Sequence, residues 1–368
     1  MKMRPITAIV ALTLLCGGGL SAQTQGSFLI PQVDEGTTRV AARGANFLEI
    51  GVGARAQALA GAYTGLASGA TAMYWNPAGI GSTDGLVVAF SYSPLYADLD
   101  IKHTYAAVAI PVFGGALGVS YINFSSGDIF RTSEDFPAGD SPTFGPVFDY
   151  TGTVLGLHYG RRLTDRLMVG ASGKVIQEGL TDAQASWWAV DFGTMFNTGL
   201  YGLSIGASLQ NIGNSAAMTG ALTKRRVTTP EAFPVAQPVN YAVQSYQLPM
   251  TFRFSVVSDL MGAPDALFSP GSSVGMKLAV DLNDAVDTDL QSMVGLEVNV
   301  RQFVFLRAGK KFVNERSDED FRSFSHGMAF GGGLRLPVFG RALSFDYAYT
   351  SMGELQNVQV FSFELGGN

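Results

Sequence analysis

Arg55 stands in Ile50-Gly51-Val52-Gly53-Ala54-Arg55-Ala56, where every neighbour is small or apolar. A guanidinium enclosed among such residues needs a carboxylate. Asp191, Asp281, Glu297 and Asp346 are the candidates, and the pair would pin one segment to another without touching a ligand. Further on, Trp75-Asn76-Pro77-Ala78-Gly79 is the sharpest motif. Pro77 fixes φ, Gly79 permits a left-handed turn, and Asn76 can bond its own backbone two residues on. It reads as a turn that delivers the chain into the next element, or as part of a gate. Gly51-x-Gly53-x-x-Ala56 imitates a dinucleotide fingerprint, but no βαβ unit follows it. His103, His158 and His326 fall on different strands with no metal-ligand spacing, so they read as lining or rim residues. With no Gly-x-Ser-x-Gly elbow between strand and helix, no His-Glu-x-x-His and no phosphate loop, neither an enzyme nor a cofactor or metal is expected.

The elements that position these residues announce themselves by a two-residue beat. In 274–283 the even positions Val274, Met276, Leu278, Val280 and Leu282 are apolar, while Gly, Lys, Ala, Asp and Asn occupy the odd ones. Leu343, Phe345, Tyr347 and Tyr349 alternate in the same way with Ser344, Asp346, Ala348 and Thr350. A period of two assigns the two sets to opposite faces of a strand. Candidate strands fall near 86–94, 103–112, 116–125, 148–161, 166–178, 185–197, 200–211, 248–259, 273–283, 290–300, 303–313, 325–336, 341–350 and 357–366. The charges Lys174, Asp191, Arg253, Lys277, Asp281, Glu297, Asp346 and Glu364 sit opposite the greasy residues. An apolar medium outside and a wet or ion-paired interior inside describe a transmembrane antiparallel β-barrel of about fourteen strands. A soluble sandwich or propeller would carry a polar face richer in Lys, Glu and Thr.

Connection lengths point the same way. Those at 111–115, 161–165, 198–199, 301–302 and 337–340 are short, whereas the intervening ones run longer, with 126–147 and 212–247 the extremes. The stretch 260–272 is the exception on the short side. Short turns at one end and long loops at the other match periplasmic turns and exterior loops, and an even strand number puts both termini in the periplasm. The loop 126–147 offers Phe130, Phe136 and Phe144 for contact with protein or lipopolysaccharide, or as a lid, and 212–247 holds the basic trio Lys224-Arg225-Arg226.

Composition fits. Charged residues are only 15 % of the 368, glycine numbers 45, and 25 Phe and 13 Tyr accompany three Trp. No internal apolar run reaches the roughly eighteen residues of a membrane helix. A net charge of −6 argues against a nucleic-acid partner. Lys2 and Arg4, the apolar stretch Ile6 to Leu15 and the small residues Gly17 to Ala22 read as a secretory signal over 1–22. Cys16, the single cysteine, falls inside it, and Leu15 before it disfavours a lipoprotein site. The division expected is therefore signal 1–22, a flexible periplasmic lead 23–45, a small N-terminal plug 46–83, and a barrel 84–368 in a Gram-negative outer membrane.

Residues Phe47 to Gly81 resemble the N-terminal signature of the PorV/PorQ family, through Ile50 to Arg55, Ala60-Gly61-Ala62-Tyr63 and Tyr74-Trp75-Asn76-Pro77-Ala78-Gly79. Asp346-Tyr347-Ala348-Tyr349 and the final Val360 to Leu365 continue the likeness, although Gly366-Gly367-Asn368 replaces the usual terminal Phe. The resemblance implies a fourteen-stranded FadL-like barrel with an N-terminal plug and an opening in its wall. It also implies a role in type IX secretion, binding exported proteins or secretion-system components and handing them to the cell surface. The alternatives are a FadL-like channel for small hydrophobic compounds and a scaffold with no transport role.

Overall fold

The computed structural model describes residues 43–366 apart from 97–98, 133–135, 138–146, 229–235, 269–270, 314–326, 339 and 353–356. The signal, most of the lead, His326 and Phe144 lie outside the described residues.

Fourteen strands form the wall: β1 Val87–Leu95, β2 Ile101–Val112, β3 Gly115–Ser125, β4 Tyr150–Arg162, β5 Leu167–Leu180, β6 Ala183–Asn197, β7 Leu203–Gly213, β8 Thr251–Met261, β9 Val274–Ala285, β10 Gln291–Val300, β11 Val304–Val313, β12 Met328–Val338, β13 Arg341–Ser351 and β14 Asn357–Leu365. Each pairs antiparallel with its neighbour in sequence, and β14 returns to β1 in the register Val88↔Leu365 through Tyr92↔Phe361. The sheet therefore closes on itself, which a sandwich does not do. Along β1 Val88 and Phe90 point out and are exposed while Val87, Ala89 and Ser91 are buried. Leu155, Leu157, Trp188, Phe192, Leu306, Phe330 and Phe345 continue the exposed apolar band around the outside. Closure pairs the ladder N–H and C=O groups between strands, the condition for a wall in hydrocarbon. Among the described residues no helix is long and apolar enough to cross a membrane.

At one end the connections are mostly tight. Phe113-Gly114 joins β2 to β3 with both residues at positive φ (56° and 71°), the primed turn that matches strand twist. Leu86 and Gly366 lie at this turn end, tied to it through Arg341 and Ala342. The other end is less uniformly long-looped than its spacing suggests. β5 and β6 extend to Leu180↔Ala183, leaving only Thr181-Asp182 between them, with Thr181 at φ 52°. Strand pairing here continues through residues whose polarity reads as loop. β9 and β10 are likewise joined by only 286–290. In the long loops, Ile129–Phe130 pairs with Val147–Phe148, and Lys224–Thr228 pairs with Ala236–Asn240.

One irregularity shapes the wall. β7 opposes Asp191 of β6 with two residues, Gln210 and Asn211, and Asn211 adopts φ 61°. This bulge bends β7 away, and its pairing with β6 stops at Ala189↔Gly213. The first residues of β6, 183–188, rise beyond that point without pairing to β7. Residues 214–220 cover the step, through Thr219-Gly220 against Gln184-Ala183 and the bridge Ala216↔Tyr246.

Candidate functional site

The segment before β1 is a chain of turns and short helices: 3-10 turns at Asn46–Glu49 and Pro77–Ser82, α1 at Ala54–Ala58 and α2 at Ala72–Trp75. Helices this short do not stand alone in water and owe their shape to packing. The segment touches all fourteen strands from the face opposite the apolar band, so it lies within the ring. Gly53 N–H donates to Ser91 of β1, and Tyr105 of β2 donates to Ala70 O. Met73 abuts Gly118 of β3, and Ile80 and Pro77 abut Gly160 of β4 and Gly170 of β5. Asn76 donates to Thr194 O of β6, while Ser208 of β7 donates to Trp75 O. Asp281 of β9 accepts the Tyr63 and Thr64 N–H groups at 3.1 and 2.8 Å, and also the Ser255 hydroxyl of β8. Leu59 lies on Gly295 of β10 and Gly309 of β11, and Ala58 on Gly331 of β12. α1 packs on β13, and Ser362 and Glu364 of β14 accept from the Ala54 and Ala70 amides.

Asn76 organises the turn. Its Oδ1 accepts from Ala78 N at 3.1 Å, and its Nδ2 donates to Thr64 O and Thr194 O at 3.1 and 3.0 Å. Trp75 Nε1 donates to Val52 O, Pro77 opens the 3-10 turn, and Ala78 is buried. Gly79 corrects the expectation of a left-handed turn, since it is not among the positive-φ residues. It is needed because a Cβ there would meet Ala67 O at 2.3 Å.

The interior has two unlike sides. From β8 to β14 it is charged and locked. Arg55 makes a two-pronged bond to Glu297, Nε to Oε2 at 2.8 Å and Nη2 to Oε1 at 2.9 Å. Glu297 also accepts Arg307 Nε at 2.7 Å, and Arg307 Nη1 donates to Asp346 at 2.6 Å. Lys277 pairs with Asp259, and Arg253 lies 4.7 Å over the Trp75 ring. A cavity of about 490 Å³ between Arg55, Arg307, Arg335, Asp346 and Glu364 is mostly crevice, with room for roughly two water molecules. From β3 to β6 the interior is mostly apolar towards the loop end, with one buried carboxyl, Glu178, accepting the Ala45 amide. Ile122, Val154, Ile176, Ala185 and Trp187 are buried there with Phe47, Leu48 and Leu248, and Phe124, Tyr150, Met218 and Tyr246 pack against them. Trp187 sits at the step, donating to Tyr246 O at 3.2 Å with ring centroids 5.4 Å apart. Below this patch, Lys174 meets Asp191 at 2.9 Å and Asn211 Oδ1 at 2.5 Å. His158 lies between the Ser120 and Ser172 hydroxyls at 2.7 and 2.6 Å, beside a crevice of about 360 Å³. His103 is buried with Nε2 unpartnered.

Arg307 and Arg335, the Trp75–Arg253 stack and the carboxyl pair Glu49–Asp287 are absent from the sequence reading. The signal for Arg307 was present, since it alternates with the outward Leu306 beside Phe305 and Gly309. Burial followed by the Asp287 charge pushes Glu49 up to about 7, and burial also raises Asp287 and Tyr74. Gly202-Leu203-Ser204-Ile205-Gly206 carries the letters of a nucleophile elbow, but Ser204 lies within β7, paired to Asn197 and Val257, with no turn to present it. Among the described residues no three His, Cys, Asp or Glu side chains are gathered for a metal ion. Phe130 and Phe136 are exposed in the loop after β3.

No family model and no curated protein matches the chain. Among solved structures it is similar to the Ralstonia pickettii toluene transporter TbuX, at 12 % identity and TM-score 0.49 over 86 % of this chain and 97 % of that one. It is also similar to a Pseudomonas aeruginosa FadL homologue (11 %, 0.48, 85 % and 97 %) and to the CymD monoaromatic hydrocarbon channel (10 %, 0.47, 86 % and 96 %). Likeness this distant leaves the closed ring of fourteen strands standing on its own pairing.

Proposed function

We propose that this chain is an outer-membrane barrel that admits small hydrophobic compounds from the exterior into the apolar side of its lumen. They leave sideways at the step beside β6, while the N-terminal segment acts as a plug against water and ions. The observation that supports this most is the sidedness of the interior. One half is tied to the segment by buried charges. The other, under the loops and next to the bulge at which β7 leaves β6, is lined by Phe124, Tyr150, Ile176, Trp187 and Tyr246. An apolar solute gains from such a lining, whose buried carboxyl, Glu178, is engaged by the Ala45 amide. In this reading the turn end, with Gly366, faces the periplasm, and lipid or lipopolysaccharide surrounds the outer band. The first described residues, 43–45, lie at the loop end against Gln247 and Glu178, which speaks against the expected periplasmic entry of the N-terminal segment. Secreted proteins or secretion-system components as partners, and the PorV/PorQ role in type IX secretion, rest on the resemblance of residues 47–81 together with the exposed Phe130 and Phe136.

Deleting the gene and following uptake of a radiolabelled monoaromatic compound tests the proposal. Slower uptake with surface proteins unchanged supports it. Unchanged uptake with exported proteins lost from the surface overturns it in favour of protein handling.

A further inference from the structure

The outward rows of the wall finish differently at its two ends. On β4 the row Leu155, Leu157, Tyr159 finishes at the turn end in Arg161, and on β13 the row Tyr347, Phe345, Leu343 finishes there in Arg341. Apolar, then aromatic, then cationic is the order in which side chains meet hydrocarbon, interface and headgroup. At the loop end the outward row of β2 also finishes in a cation, Lys102, but Asp100 pairs with it at 2.7 Å. Exposed at the turn end are Arg161, Arg162, Arg166, Arg301 and Arg341 against Asp84 and Asp165, whereas Asp100, Asp128, Asp149 and Asp182 are exposed at the loop end. Three of these arginines, Arg161, Arg162 and Arg166, gather at the β4–β5 turn, and none of them makes an ion pair among the described residues. Bare apolar tips surround them. Phe113 of the β2–β3 turn is 84 % exposed, its carbonyl accepts the Tyr159 hydroxyl at 3.0 Å, and Gly115 just after it lies against Arg161. Leu163 stands exposed beside Arg162. Arg166 Nη1 donates to Thr198 O at 3.1 Å in the β6–β7 turn, where Leu200 and Tyr201 are exposed. Guanidinium groups without carboxylates, set among bare apolar tips, suit neither open water nor a hydrocarbon core.

We propose that the turn end between β2 and β7 seats anionic phospholipid of the leaflet it faces. Arg161, Arg162 and Arg166 hold the phosphates, and Phe113, Leu163, Leu200 and Tyr201 dip into the interfacial layer around them. A guanidinium presents parallel N–H donors that match phosphate oxygens two at a time, and these three have donors to spare. Lipid is favoured over a protein partner because the patch prolongs the outward apolar band. An acyl chain can run along Tyr159, Leu157 and Leu155 from a headgroup held at Arg161. The proposal rests on the barrel lying in a bilayer and is indifferent to what passes through its lumen.

The full chain in nonionic detergent is mixed with phosphatidylglycerol or with phosphatidylcholine, and bound lipid is counted by native mass spectrometry. The wild type is expected to hold phosphatidylglycerol more tightly. Arg161→Gln combined with Arg162→Gln should weaken that binding roughly fivefold for each arginine removed and leave phosphatidylcholine unchanged. Both positions are exposed, so the compact, heat-modifiable form should persist in this variant. Arg161→Lys with Arg162→Lys keeps the charge but not the fork and should fall between the two. Arg301→Gln, outside the patch, should bind as the wild type does. Equal binding of the two lipids by the wild type, or a preference that survives the double glutamine variant, would overturn the proposal. Displacement of the bound lipid by inorganic phosphate would overturn it as well, making the patch a site for small anions. No uptake is measured, so these outcomes are separate from those that decide the transport reading.

Discussion

Glu297 is the member of the buried network whose loss should cost most, because two arginines depend on it. Arg55 reaches it through two bonds and Arg307 through one, and the Glu297 and Arg307 side chains are almost wholly buried. Replacing Glu297 by Gln keeps the volume but removes the charge facing both guanidinium groups. Arg307 retains Asp346, whereas Arg55 keeps only the hydroxyls of Ser68 and Tyr63. Breaking a buried pair from one side costs about 3–5 kcal/mol, since a charge is left without compensation. Arg55→Met breaks the same contact from the other side, but Glu297 then keeps Arg307, so the loss should be smaller, about 1–3 kcal/mol. The assay is urea unfolding in phospholipid vesicles followed by tryptophan fluorescence. Trp75 sits inside the ring against Arg253 and reports whether the segment remains seated. The double variant should cost less than the sum of the single ones, as residues in one network do. Equal losses for the two single variants, or a Glu297→Gln loss below about 1 kcal/mol, would refute the idea that one carboxylate bridges segment and wall.

Asn76→Ala removes a turn bond and two buried donors. It should destabilise by about 2–4 kcal/mol in the same unfolding assay, with Asn76→Asp only partly restoring it because Asp cannot donate. Gly170→Val places side-chain atoms where a Cβ alone would lie 2.3 Å from the Pro77 backbone, so heat-modifiability gels should show the barrel losing its compact form at lower temperature. The raised Glu49 carboxyl binds more protons in the folded than in the unfolded state. Its contribution is therefore complete below about 4.5 and lost as pH rises towards about 7. Glu49 keeps an exposed edge, so the slope is shallow, and Glu49→Gln should flatten it. Trp187→Arg puts a charge at the step and, measured per folded barrel because Trp187 is buried, should slow uptake of a hydrophobic probe about tenfold, the effect of roughly 1.4 kcal/mol on the barrier.

The fourteen strands were legible because each must alternate to meet lipid on one side, and alternation is a local property of the chain. Their ends moved by a few residues at most, as at Leu180 and Ala183, where pairing outlasts the hydrophobic beat. Arg55 announced its need for a carboxylate, yet only register chooses among Asp191, Asp281, Glu297 and Asp346. The choice fell on Glu297 because β10 brings it beside α1. The bulge at Gln210-Asn211 and the step it makes were not legible. They arise from where β7 leaves β6, a relation between distant residues with no periodic trace. The Glu49–Asp287 contact is hidden for the same reason, since its halves lie on a 3-10 turn and on a connection far along the chain.

The glycines that line the inner wall have one more consequence. At Gly160, Gly170, Gly193, Gly206, Gly295, Gly309 and Gly331 the backbone or small side chains of the N-terminal segment lie so close that not even a methyl group fits without displacement. Such a bore is shaped to one object and is too narrow for that object to be threaded in after the cylinder has closed. The segment also precedes the first strand in the chain, so it is available before any staves exist. It is expected to act as a mandrel on which the sheet is wound, so that a chain lacking it stalls as an unclosed sheet and does not mature into an open pore.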